Sequence, residues 1–132
     1  MNSEESDTKS FKAAGTISPG DLVMVDSSGY VTRTVNVTDD EYIGSADFDA
    51  AQFAAKGTDY YSSGDMCRVL LRGKAITVNH YDTAQTLITP GCFVKIGSPG
   101  GVMVEATAAT KTLNSIGICI KGGSSTCVIV PL

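Results

Sequence analysis

Apolar and polar residues alternate in short runs along most of this chain, and residues that favour turns separate the runs. A period of two places successive side chains on opposite faces, so the pattern predicts half-buried β-strands. Residues 66–78, MCRVLLRGKAITV, show it most clearly. Cys67, Val69 and Leu71 share one face and Met66, Arg68 and Leu70 the other, before Arg72-Gly73-Lys74 turns the chain into a strand at 75–78. Residues 17–31, ISPGDLVMVDSSGYV, predict a hairpin. Pro19-Gly20 launches a strand with Leu22 and Met24 on one face and Val23 and Val25 on the other, Asp26-Ser27-Ser28-Gly29 reverses it, and Tyr30-Val31 opens the return. A copy of this pattern stands at 88–104, ITPGCFVKIGSPGGVMV, where Cys92, Val94 and Ile96 oppose Phe93 and Lys95. An Ile-Gly strand follows each copy, at 42–46 and 115–119. Two copies are too few for a solenoid, so they predict a duplicated β-layer inside one domain.

The remaining segments fill in around the two hairpins. Residues 46–56, ADFDAAQFAAK, are the one helical candidate, with Phe48, Ala51 and Ala55 on a stripe, Asp47 or Asp49 as cap and Gly57 as stop. Residues 126–130 predict a final strand, reached from 115–120 through the hairpin chemistry of 121–125. Residues 1–10, MNSEESDTKS, hold nothing apolar after Met1 and predict a flexible N-terminal arm, leaving 11–132 as a single β-rich domain. The expected fold is therefore all-β: a small single-domain β-sandwich or barrel-like fold of short strands, with an internal hairpin duplication and at most one short helix. The chain has 132 residues, enough for a real core.

Charge changes the picture of partners more than of fold. The net charge is −4, which disfavours nucleic acid, because phosphate binding needs a basic stripe. Residues 1–65 carry twelve acids and four bases, net −8, whereas 66–132 carry two acids and six bases, net +4. That asymmetry favours electrostatic docking between like subunits or with unlike partners. With no apolar run near ~20 residues and no basic-then-apolar start, the sequence predicts no membrane span and a chain made in the cytoplasm.

Candidate chemistry is sparse. Cys67, Cys92, Cys119 and Cys127 contain no C-x-x-C pair and read as buried free thiols. His80 is the only histidine, in a loop-like stretch without a nucleophile elbow, so it is expected to be exposed or locally bonded. Asp39-Asp40-Glu41 lacks the alternate ligand spacing of a calcium loop. No phosphate-binding glycine motif follows a strand. The sequence thus predicts no enzyme, no metal and no cofactor. The candidate partner contacts are Glu4, Glu5, Lys9 and Phe11 at the N-terminus, and Tyr60 and Tyr61 as loop aromatics able to anchor a partner.

The order of these motifs carries a resemblance. I-[ST]-P-G-x-x-V, a G-x-V return strand, an Ile-Gly strand, G-D-x-C-R-V-L-L-x-G, a second I-T-P-G hairpin and a closing V-I-V run resemble the capsid cement, or decoration, proteins of tailed bacteriophages over residues 13–132. The resemblance implies a compact β-rich virion protein on the outer surface of an expanded icosahedral head, bound to the major capsid protein and to itself as a homotrimer. It implies neither nucleic acid nor membrane as a partner. The alternative from another class is a carbohydrate- or host-surface-binding β-sandwich displayed on a phage particle or cell, with Tyr60 and Tyr61 as stacking rings.

Overall fold

The computed structural model describes residues 8–35, 41–80, 88–97, 100–105, 108–123 and 125–132. They form β1 (Thr8–Lys12), β2 (Leu22–Val25), β3 (Val31–Arg33), β4 (Gly44–Ala46), α1 (Ala50–Lys56), β5 (Met66–Leu71), β6 (Ile76–His80), β7 (Phe93–Ile96), β8 (Gly101–Val104), β9 (Ser115–Lys121) and β10 (Thr126–Pro131). The fold is all-β, with one short helix among the described residues. A five-stranded sheet runs β1-β5-β4-β2-β3, and the other five strands close a barrel in the order β10-β6-β8-β7-β9, with β9 returning to β10.

These two units are one topology used twice. Read from its β3 edge, the first unit runs β3-β2-β4-β5-β1, and the barrel runs β8-β7-β9-β10-β6, so β1 matches β6 and each later strand its counterpart. The register agrees residue by residue. Val25 faces Val31 as Ile96 faces Val102, and Ala46 faces Val69 as Cys119 faces Ile129. Phe11 faces Cys67 as Val78 faces Cys127. The parallel contact that closes the barrel, His80 with Val102, recurs between the edges of the first unit as the single parallel bridge Ala13 to Val31. The duplication therefore extends well beyond the two hairpins to all five strands of each half.

The Ile-Gly echo has a steric cause. A Cβ at Gly44 would collide with the carbonyl oxygen of Leu70, and one at Gly117 would lie 2.9 Å from the carbonyl oxygen of Val130, the residue that matches Leu70. Glycine lets β4 and β9 approach β5 and β10 closely at equivalent places.

Each unit has its own apolar interior. Ile17, Val23, Val31, Phe53, Tyr61 and Val69 are among the residues filling the first. Val78, Val94, Ile96, Val102, Cys127 and Ile129 are among those filling the second. Alternation does what the sequence pattern predicts on β5, where Cys67 and Val69 point in while Arg68 and Leu70 lie outward and half-buried. The turn at Arg72-Gly73-Lys74 makes no hairpin, however. β5 and β6 lie in different sheets, so residues 66–78 are the crossover between the two units.

Three expectations need correction. The arm is expected to reach Ser10, yet Thr8, Lys9 and Ser10 pair with Leu70, Val69 and Arg68 as part of β1. Backbone pairing needs no apolar side chain, so a polar run hides such an edge strand; residues 1–7 lie outside the described residues. The helix begins at Ala50, with Asp49 accepting from the Gln52 N–H and Gly57 closing it in the left-handed region at φ 72°. Residues 44–46 are spent on β4, and Asp47 is held by Arg68. His80 is not in a loop: it ends β6, is 5% exposed, and takes the bonded alternative, its Nε2–H donating to the Gly123 carbonyl at 2.6 Å.

The β1 pairing carries a prediction. Deleting residues 1–10 removes three rungs of the β1–β5 ladder, each hydrogen bond contributing about 1 kcal/mol net. The truncated chain is expected to melt several degrees below the full chain; coincident melting curves would show that β1 adds nothing.

Candidate docking surface

The sequence nominates two separate places for partner contacts, and the structure keeps them only in part. Lys9 is exposed on β1, opposite Val69. Phe11, two residues on, turns inward and packs against the first core, so its ring is partly committed to the fold. Glu4 and Glu5 lie outside the described residues. Tyr60 is 38% exposed, with the Lys56 ammonium 5.8 Å from its ring centre. Tyr61 is a correction: it is fully buried, stacks edge-on against Phe53 at 4.8 Å, and its hydroxyl donates to the Asp47 carbonyl at 2.6 Å. Its backbone also bridges to Ile17 in both directions. The two neighbours therefore cannot form one aromatic platform. A strand-like bridge sends adjacent side chains to opposite sides, one into the core and one into water.

Around Tyr60 the chain is fastened by charge. The Lys56 ammonium meets the Asp65 carboxylate and also donates to the Tyr60 carbonyl, and Asp65 accepts from the Ser62 N–H. Lys56 and that N–H hold the Asp65 carboxyl below its ordinary value. Asp49 is held low by the Gln52 N–H of the helix cap. Among the described residues no group of three or more His, Cys, Asp or Glu is placed to hold a metal ion.

The joint between the units went unseen in the sequence. Leu22 and Tyr42 belong to the first unit by chain position but are buried in the second core, and Leu70 packs against the same cluster. The Leu22 N–H donates to the Gly100 carbonyl, and the Asn79 N–H to the Gly20 carbonyl. Asp21, fully buried here, accepts from the Ser18 N–H and from Nδ2 of Asn79, both within 2.9 Å. Arg72 lies over the Tyr42 ring at 4.2 Å and donates to the Leu132 carbonyl. A shallow cavity of about 330 Å³, lined by Gly20, Phe48, Leu70, Thr77 and Thr126 among others, opens beside this joint. Phe48, 54% exposed, forms part of its largely apolar wall.

No family model matches the chain, and no curated protein matches it.

The outer face of the barrel exposes apolar side chains on β9 and β10. Alternation on β9 and β10 turns Cys119, Cys127 and Ile129 inward and leaves Ile120 and Val130 outside, 49% and 41% exposed, with Leu132 beyond them. The four cysteines are all free and buried. Burial pushes the thiols of Cys67 and Cys127 up to about 12, since a thiolate would lose its solvation there. They are not nucleophiles at neutral pH.

A pH prediction follows from those thiols. Their folded values lie above the unfolded value near 9, so the stability they add is whole below pH 9 and is lost as pH rises toward 12. Native protein is expected to leave all four cysteines unreactive to a thiol reagent at pH 8 and to lose stability steeply above pH 9. Rapid labelling of any cysteine in the native state would contradict the burial.

Proposed function

We propose that this protein is a structural virion component that binds the outer surface of an expanded icosahedral phage head and bridges its capsid subunits. Its partners in this reading are the major capsid protein and further copies of itself, associated as a trimer. The observation that supports it is the order of the turn and strand motifs over residues 13–132, which resembles that of capsid cement proteins. The architecture suits such work: two small β units, joined by buried hydrogen bonds and apolar packing, make a firm body with exposed loops. Many copies on one lattice turn weak single contacts into firm attachment.

The sugar-binding alternative loses support from Tyr61, whose buried ring leaves Tyr60 without a stacking neighbour. The direct test is co-sedimentation of the purified protein with undecorated expanded heads. Saturable binding at a fixed number of copies per head is expected, with retention by the Tyr60→Ala variant. A protein that stays in the supernatant at all concentrations would end the proposal.

A further inference from the structure

The duplication makes one surface of this molecule readable from another. In the first unit the outward residues Leu22 and Leu70 dock onto the second unit. On the receiving side Gly100, in the β7–β8 turn, accepts the Leu22 N–H, and Asn79, next to Thr126 in the ladder, donates its N–H to the carbonyl of Gly20 just before Leu22. By register, Val130 stands on the second unit where Leu70 stands on the first, and Leu132 where Arg72 stands. The receiving residues repeat too. Lys12 faces Met66 as Asn79 faces Thr126, and Gly29 occupies the hairpin turn that matches Gly100, each glycine with positive φ.

Both repeated surfaces expose apolar side chains within one chain. Val130 and Leu132 are 41% and 46% exposed on the docking side, and Met66 and Tyr30 are 49% and 38% exposed on the receiving side. The chain already meets the docking side at two places among the described residues: the Ala108 carbonyl accepts the Phe93 N–H as Gly100 accepts that of Leu22, and Arg72 donates to the Leu132 carbonyl. Charge favours the same pairing. Divided at the crossover, residues 1–72 hold twelve acids and six bases, net −6, and residues 73–132 hold two acids and four bases, net +2.

We infer that the β9–β10 exterior around Val130 and Leu132 docks a second copy of this chain head-to-tail, on the Lys12–Met66 face of that copy's first unit. It repeats between chains the contact that joins the two units within one. Exposed apolar side chains at equivalent positions would be buried on both sides, and an acidic unit would follow a basic one along the assembly. Such a heterologous contact closes into a ring or extends, according to its rotation. The inference does not rest on the virion reading, and its test contains no heads, so either can fail alone.

The experiment is sedimentation velocity on the full chain over a wide concentration range. Wild type is expected to grow beyond the monomer as concentration rises. Val130→Asp and Met66→Asp each alter an exposed side chain, and each alone is expected to stay monomeric over the same range, with self-association at least tenfold weaker. Leu132→Asp, at the chain end, provides a second docking-side variant should Val130→Asp misfold. Mixing Val130→Asp with Met66→Asp leaves one intact docking face and one intact receiving face, so the mixture is expected to form dimers and stop there. A monomeric wild type, single variants that still associate, or a mixture that stays monomeric would each overturn the inference.

Discussion

Replacing Gly44 with alanine is expected to lower the stability of this protein by about 3–5 kcal/mol, among the largest costs a single methyl group imposes. The added Cβ meets backbone on every near side: the Leu70 carbonyl oxygen and carbon, and the Leu71 Cα 3.0 Å away. No rotamer change relieves contacts with backbone, so β4 must move away from β5, and Gly44 also pairs with Val23 on its other side. Gly117→Ala, the equivalent change in the barrel, places its Cβ 2.9 Å from the Val130 carbonyl and is expected to cost roughly 1–3 kcal/mol. Gly15→Ala, with nothing within 4 Å, is the control and should stay within about 0.5 kcal/mol of wild type. Chemical denaturation of the three variants checks the order; equal midpoints for Gly44→Ala and wild type would refute the close approach of β4 and β5.

Tyr61→Ala is expected to cost about 3–5 kcal/mol, the loss typical of emptying a buried aromatic site. The ring is fully buried against Phe53 in the first core, so its removal leaves a cavity between α1 and the sheet. Tyr61→Phe separates the hydroxyl from the ring: it leaves the Asp47 carbonyl without that donor and is expected to cost about 1 kcal/mol. Burial also pushes the Tyr61 hydroxyl up to about 12. A folded value above the unfolded 10 gives stability that is whole below pH 10 and lost as pH climbs toward 12. Tyr61→Phe should therefore flatten the alkaline limb of the stability profile. If Tyr61→Ala denatures with wild type, the residue is not part of the core.

How far the sequence reaches depends on what each feature uses as its signal. Side-chain alternation and turn residues mark the hairpins β2–β3 and β7–β8 and the closing pair β9–β10, because burial of one face leaves a period-two record. Partner choice leaves no such record: nothing in MCRVLLRGKAITV tells that β5 and β6 belong to different sheets. β1 was hidden for a related reason, since Thr8, Lys9 and Ser10 are held by backbone pairing and carry no apolar side chain. Tyr60 and Tyr61 look alike in sequence and part only when the bridge to Ile17 fixes which ring turns inward. His80 reads as polar until the Gly123 carbonyl meets it across the barrel end. The apolar β9–β10 exterior was written in the alternation of Ile118, Ile120, Val128 and Val130, yet its meaning needed the register that matches Val130 with Leu70.

The cement reading makes a thermodynamic claim about the particle. A ligand that binds the expanded shell and not its dissociated subunits stabilises the shell by RT ln(1 + [L]/Kd), about 2.7 kcal/mol per site at a hundredfold excess over Kd. Calorimetry of expanded heads with and without saturating protein measures this directly. Decorated heads are expected to melt at a temperature that is higher than for bare heads and rises with free protein concentration; heads that melt at the same temperature with and without bound protein would contradict it.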